Sequence, residues 1–477
     1  MVRKLILEQA LAFLLGLFVF AVLIRGGNTR QVIICASAMA LVCLALSAVI
    51  AWRSSTKVQL SLGSGLYVLA MLCLLASAVM ALVPLPLDVW LSMSGRSAYE
   101  DVVATLRQEP FEVSSLQLSI DPIGTSFATL SLIVAFAVGL ATLLLPASML
   151  LKLLGTVVSL AVAEAALGIL QLAFGTPSFM GYDVAVGGTR ATGTFINKNH
   201  YATLLAMALP LLVFRATGQY SFFRQNGVPS SLSNVWWGTA TALVLVALIA
   251  SLSRAGGAAG FSVAVLATLL CIFRKQATTS QRLGPMIIAA LALAMASGSS
   301  LKLFLDSLQG AAFAESADGR RVLFHLSLAG VKAFFPLGSG LGSYSIAFQR
   351  FQPEEVAGYV EHVHNDYVEL LFEAGILGAL ALACFAMAAA AAGLRLWKTL
   401  DIRQQPLSPA IACWLGAAAF AIHAWFDFPA HIPGLIIVVS LLFGACMNES
   451  LLKSHDRSHR KPPTLDVSTV AGQIGTV

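Results

Sequence analysis

At 477 residues with 58% hydrophobic and only 11% charged residues, and a mean hydropathy of +0.83, the chain lies outside the range of soluble globular domains, where about a quarter of residues are charged. The formal net charge of +6 comes from basic residues scattered between apolar runs, with no single basic stripe. That pattern is expected of a membrane protein obeying the positive-inside rule and argues against a nucleic-acid partner.

Met1 to Ile24 carries Arg3 and Lys4 followed by an apolar run long enough to span, with no small-residue cleavage site after it, so it reads as a first transmembrane helix. Taking apolar runs of roughly 17 to 25 residues as spans, helices are expected near 7–24, 31–51, 65–83, 123–146, 150–174, 199–216, 234–252, 256–273, 285–304, 372–394, 408–426 and 434–448. The expected fold class is therefore an all-α polytopic membrane protein of about twelve helices. A cytoplasmic N-terminus places 17 of the 29 Lys and Arg on the cytoplasmic side, the sign the rule requires. Outer loops then cover about 84–122, 175–198 and 305–371; residues 1–452 form one transmembrane domain and 453–477 a basic, weakly hydrophobic tail expected to be disordered. All seven cysteines (Cys35, Cys43, Cys73, Cys271, Cys384, Cys413 and Cys446) fall in apolar runs, as small packing residues do, and predict neither a disulfide nor a thiolate metal site.

Four stretches stand out against this background. Gly193 to Tyr201, preceded by Arg190, places Asn197, Lys198 and Asn199 at the mouth of a helix, where free N–H groups and the dipole favour an anion; a capped helix with a solvated turn is the plainer reading. Arg190 suits phosphate better than Lys198 because its planar fork matches two oxygens. Ser251 to Gly257 holds Arg254 in a nearly loopless connection; a snorkelling arginine is the bland alternative, but the charge bias disfavours an ornamental arginine on the outer face. Asp318 to Phe335 has apolar residues at helical spacing and reads as an amphipathic surface helix with Arg320 and Arg321 in its first turn, a placement the dipole disfavours; the Gly338-x-Gly340-x-Gly342 turn follows it. The fourth, His362 to Gly378, packs two histidines, Asn365, Asp366, Tyr367, Glu369 and Glu373 directly before an apolar run. Polar clusters beside lipid are costly and mark function by default. On a helix His362 would share a face with Asp366, and a nearby carboxylate would orient His364. A metal site of His362, His364 and Asp366 lacks an obvious fourth ligand.

Two lesser features remain. Glu164 lies mid-helix with Gln171 seven residues on, and an intramembrane carboxylate needs a partner or a wet cavity; His423 to Pro433 sets Asp427 and two more histidines on the side of the main cluster.

His364-Asn365, nine residues, Gly375, two residues, Gly378 resembles the H-N-x9-G-x-x-G motif of the O-antigen ligase family and its relatives, the polysaccharide polymerases and bacterial O-oligosaccharyltransferases. GTFINKNHYA (193–202) and SLSRAGG (251–257) resemble that family's other two landmarks, in the same order, so the resemblance covers roughly 60–445. It implies a metal-independent, inverting glycosyltransferase of GT-C type with no cofactor. The enzyme would work in the bacterial inner membrane with its site facing the periplasm. Its donor would be an undecaprenyl-diphosphate-linked glycan and its acceptor a glycan, the lipid A core or a protein. His364 takes the place of the motif histidine, Arg190 and Arg254 those of the arginines, and Arg320 or Arg321 that of the large-loop arginines. Asn197, Asn199, Asn365, Asp366 and Glu369 would bind diphosphate or support these groups. An Arg-x10-Gly pattern used by some polymerases is not met, since nine residues separate Arg320 from Gly330, which leans toward a ligase. A lipid-linked glycan flippase or transporter would suit Glu164 and twelve spans, but its charges should run through several helices, whereas here they gather at one end.

Overall fold

The computed structural model describes residues 2–23, 26, 29–52, 61–108, 112–174, 178–179, 182–183, 190–220, 230–273, 311–354, 356, 358–400 and 407–452. The helix expected near 285–304 and the tail 453–477 lie outside the described residues.

Among the described residues the chain is an all-α polytopic bundle. The first three long helices are α1 (Val2–Leu23), α2 (Arg30–Trp52) and α3 (Leu62–Ala81). Strand β1 (Pro84–Pro86), short helices α4 (Leu87–Ser92) and α5 (Glu100–Leu106) and strand β2 (Ser115–Gln117) form the segment between α3 and the next long helix, with β1 and β2 paired antiparallel, Leu85 opposite Leu116. Then come α6 (Pro122–Leu144), α7 (Ala147–Phe174), a small hairpin of β3 (Ser178–Phe179) and β4 (Tyr182–Asp183), α8 (Lys198–Ala216), α9 (Ser230–Ala250) and α10 (Arg254–Ile272). The last part holds α11 (Ala311–Phe334), α12 (Tyr344–Ala347), α13 (Asp366–Thr399), α14 (Pro409–Ala424) and α15 (Pro433–Cys446). Seven of these are long and apolar enough to cross a membrane, and α1, α14 and α15 contain shorter apolar stretches.

The centre of the bundle is α8, in which every residue from His200 to Ala216 is buried. It packs against α7, α9, α10 and α14. Close approach explains the small residues around it: a Cβ on Gly256 would meet Ala202 at 2.5 Å, one on Gly260 would lie 3.2 Å from Ala206, and one on Gly416 would meet the Met207 carbonyl at 2.5 Å. In lipid, where no hydrophobic drive separates helix contact from lipid contact, such small-residue seams give the dispersion contacts that hold helices together.

Two buried polar groups organise the loops. Arg96, fully buried, donates to the carbonyls of Leu118 and Gly338 at 3.0 Å each, fastening the 84–118 segment to the Gly338–Gly342 turn. Glu164 and Gln171 of α7 hold the strap before α8: the Thr194 amide and hydroxyl donate to the Glu164 carboxylate at 2.8 and 2.6 Å, and Gln171 donates to the Gly193 carbonyl at 2.6 Å. The partner that an intramembrane carboxylate requires is thus supplied by the strap itself.

Helix α13 is broken at Gly375, whose φ of 53° and ψ of −129° are not helical. The carbonyls freed by the break are taken by the glycine turn: Ser339 donates to Phe372 O at 3.1 Å and Gly340 to Glu373 O at 2.9 Å, while Ile376 donates to Pro336 O at 2.8 Å. A Cβ at position 375 would sit 2.1 Å from Pro336 O, and one at Gly338 would sit 2.2 Å from Glu373 O. The first glycine of the histidine motif is therefore a backbone requirement, since only glycine adopts this conformation without cost. Gly375→Ala is expected to destabilise the protein by about 3 kcal/mol or more, read as a lowered midpoint in a detergent thermal-unfolding assay; an unchanged midpoint would mean the break is not as described.

The amphipathic helix expected from Asp318 begins at Ala311, earlier than the sequence predicts, so Arg320 and Arg321 lie well inside α11 and the expected dipole conflict does not arise. Likewise α13 starts at Asp366, which leaves His362 and His364 in the loop before it, and His362 does not share a helix face with Asp366.

Candidate active site

Helix α8 opens with Asn197 as N-cap, its side chain accepting from Asn199 N at 2.8 Å, and α10 opens with Ser253, which accepts from Gly256 N. The two helix starts are stitched together. Ser253 Oγ donates to Asn199 Oδ1 at 2.8 Å and Lys198 Nζ donates to Leu252 O at 2.8 Å. Leu252 has a φ of 53°, a conformation that a branched side chain enters only under constraint and that lets the chain turn between α9 and α10 without a loop. Ala191 N, next to Arg190, donates to Ala250 O at 3.0 Å, bringing the strap to the same place.

Four cations gather there. The Lys198 ammonium lies within the unfavourable fields of Arg190, Arg254 and Arg320 and the favourable field of Asp427. Arg320 also bears on Arg254 and on His423. Arg190, Arg254 and Arg320 are half-buried, whereas Arg321 is exposed. The structure therefore brings Arg190, Lys198, Arg254 and Arg320 together, and separates Arg320 from Arg321 as the loop arginine of the site. Two helix N-termini point into the same region, adding partial positive charge.

Beside the cations stands a histidine–aspartate pair. His364 Nδ1 lies 2.9 Å from Asp427 Oδ1, with Asp427 1% exposed and the His364 side chain 31% exposed. An ionised carboxylate only accepts, so Nδ1 carries a proton, and in the neutral ring Nε2 presents its lone pair. Burial alone would raise the Asp427 pKa, but the hydrogen bond from His364 and the fields of His423, His364 and His200 outweigh it and hold the carboxyl well below the usual range. Asp427 stays ionised, as an orienting group must. His364 reaches it with a φ of 57°, a strained value worth about 1–3 kcal/mol that the surroundings must maintain.

Asn365 maintains it. As N-cap of α13 its Oδ1 accepts from the amides of Tyr367 and Val368 at 3.1 Å each, and its Nδ2 donates to Trp425 O at 3.1 Å, which fixes the helix start against the turn that carries Asp427. The asparagine of the motif thus places its histidine. Phe428 packs against three rings, stacking on His362 at 4.1 Å and meeting His364 and His200 edge-on at 5.1 and 4.9 Å.

The remaining polar residues form a neighbouring cluster. Glu369 Oε1 lies 2.7 Å from His362 Nδ1 and 3.2 Å from His431 Nε2, and its Oε2 accepts from Val363 N at 3.1 Å. Asp366 accepts from Ala430 N at 2.9 Å and from His431 Nδ1 at 3.1 Å. The carboxylates near His364 in sequence, Asp366 and Glu369, therefore serve His431 and His362, and the group that orients His364 is Asp427. Glu373 accepts from Tyr344 N at 2.8 Å and holds the glycine turn. Among the described residues the metal-capable grouping is His362, Glu369 and His431, in place of His362, His364 and Asp366. Sequence reasoning gave Asp427 a minor part and missed Phe428 and Arg96; the spacing of His423, Asp427 and His431 beside a Pro-bounded turn was the signal available for the first.

The fold and this site define a multi-pass membrane protein that assembles cations and an oriented histidine at one end of its bundle. A family model described as O-antigen ligase matches residues 239–383, from within α9 to within α13. The matched segment includes Arg254, Arg320, His364, Asn365 and both motif glycines, while Arg190, Lys198 and Asp427 lie outside it. The match supports an O-antigen ligase family for this chain and with it a glycosyltransferase-like enzyme of polysaccharide assembly, acting on lipid-linked glycan and an acceptor. No curated protein matches the chain.

Proposed function

We propose that the protein transfers a glycan from undecaprenyl diphosphate to an acceptor hydroxyl at the periplasmic face of the bacterial inner membrane. The observation that carries this reading is the His364–Asp427 pair standing beside Arg190, Lys198, Arg254 and Arg320 at two helix N-termini. His364 Nε2 takes the proton of the acceptor hydroxyl, and the oxygen attacks the anomeric carbon from the side opposite the diphosphate. The bond from that carbon to the phosphate oxygen breaks, and its electron pair leaves with undecaprenyl diphosphate, whose growing charge the cations and helix starts stabilise. The configuration inverts, and neither a nucleotide sugar nor a metal at the reacting atoms is required. Asn197, Asn199 and Asn365 act by fixing the helix starts, and Asp427 acts through His364.

The test is reconstitution of the purified protein in vesicles with undecaprenyl-diphosphate glycan and separate acceptors: lipid A core, free glycan and a hydroxyl-bearing protein. Release of undecaprenyl diphosphate together with a new glycoside supports transfer, and the acceptor consumed separates ligase from polymerase or protein glycosylation. Movement of the lipid-linked glycan across the bilayer with no new glycoside would replace this reading with a flippase.

A further inference from the structure

The cluster beside the site has a chemistry of its own. His362 Nδ1, Glu369 Oε1 and His431 Nε2 lie within 4.8 Å of one another, with edges of 2.7 Å from Glu369 to His362 and 3.2 Å from Glu369 to His431. Zinc bonds of about 2.0–2.1 Å to imidazole and about 2.0–2.2 Å to carboxylate put neighbouring ligand atoms roughly 3.3 Å apart in a tetrahedron, so the two edges at Glu369 are near that spacing and the third is at most 4.8 Å.

Two of the three groups, His431 and Glu369, are held by hydrogen-bond partners of the kind that tunes metal sites. Asp366 accepts from His431 Nδ1 and so turns Nε2 inward, the carboxylate–histidine arrangement that raises ligand basicity and sets the tautomer. Asp366 is itself fixed by Ala430 N, and the Val363 amide occupies the other oxygen of Glu369. His362 is kept in plane by stacking on Phe428 at 4.1 Å and 23°. Charge argues the same way. Asp366 and Glu369 are 7% and 1% exposed, so both carboxyl groups are withdrawn from water beside the two imidazoles. Carboxyl groups so withdrawn from water are stable as carboxylates only when paired or coordinated to a metal. The side chains of His362 and His431 are 15% and 26% exposed, which gives an ion a way in.

We propose that His362, Glu369 and His431 bind one divalent transition-metal ion, with Asp366 as the outer carboxylate of His431. The nitrogen-rich set with three protein ligands and an open fourth position favours zinc over magnesium or calcium, which take oxygen. The ion ties together the His362–Asn365 loop, the first turn of α13 and the 429–431 turn, the same pieces that present His364. It therefore acts on the position of His364 and not at the reacting atoms, and its binding does not depend on the transfer reading.

The test uses the full chain, purified in detergent with a tag free of histidine and stripped with chelator. It is titrated with zinc chloride by calorimetry, and its Co(II) form is examined by visible absorption. One zinc per chain is expected, with d–d bands of tetrahedral intensity for cobalt. Affinity should fall at least 10-fold in Glu369→Gln, His362→Gln and the more exposed His431→Gln, about 10- to 100-fold in Asp366→Asn, and stay within twofold in His364→Ala. Absence of a stoichiometric site for either ion in the wild-type protein overturns the proposal without recourse to any variant. So does stoichiometric binding that survives in both Glu369→Gln and His431→Gln.

Discussion

His364→Ala is expected to lower glycan transfer by about 10²- to 10⁴-fold, the usual contribution of a positioned general base, or roughly 3–5 kcal/mol of barrier. The basis is geometric: Asp427 holds the proton on Nδ1 at 2.9 Å and leaves Nε2 as the only basic atom the ring presents. Asp427→Asn gives a sharper test, because an amide can donate its N–H to Nδ1 and turn the ring so that Nε2 carries the proton. A comparable loss is then expected with the fold intact. The measurement is release of undecaprenyl diphosphate in reconstituted vesicles, with thermal unfolding in detergent as the control. Full activity in both variants would remove His364 from the mechanism and leave the histidine–aspartate pair as a packing device.

The second large effect is expected at the cations. Arg254→Ala should cost about 10²- to 10³-fold in turnover, in line with loss of one preorganised group facing developing charge. Arg254→Lys should recover only part of it, since the ammonium cannot present the planar fork. The variant should bind the lipid-linked donor with an affinity closer to wild type than its turnover, because charge on the bridging oxygen grows only as the bond breaks. Arg321→Ala supplies the contrast: exposed and one residue past Arg320, it is expected to leave turnover within about twofold. If Arg321 proved as sensitive as Arg254, the division of the loop arginines would be wrong.

The long helices were legible because lipid demands unbroken apolar runs, and those runs are written directly in the chain. The start of α13 was not. The apolar run begins near 372 whereas the helix begins at Asp366, because Asp366, Glu369 and Glu373 are buried against His431, His362 and the glycine turn and are not solvated. Hydropathy cannot distinguish a polar residue facing water from one facing a partner 60 residues away. The same blindness hid the pairing of His364 with Asp427, which no periodicity connects, and the fully buried Arg96, which resembles any loop arginine until Leu118 and Gly338 are folded against it. Motif spacing, by contrast, recorded the backbone faithfully. Gly375 and the Gly338–Gly342 turn are separate signals in sequence and one contact in space.

The enclosure of α8 bears on how the protein is made. A helix bounded by Lys198 and Arg215, with Pro210 within it, falls outside the set apolar enough to cross on composition alone, and it offers lipid no face. Its stable state is reached only when α9, α10 and α14 close around it. Its retention in the bilayer is thus coupled to synthesis of segments as far as 200 residues downstream, so chains ending before α14 present the quality-control machinery with a marginal span and its unfilled seam. The element that supplies Lys198 and the cap at Asn197 is thus completed late, after most of the chain has already entered the membrane.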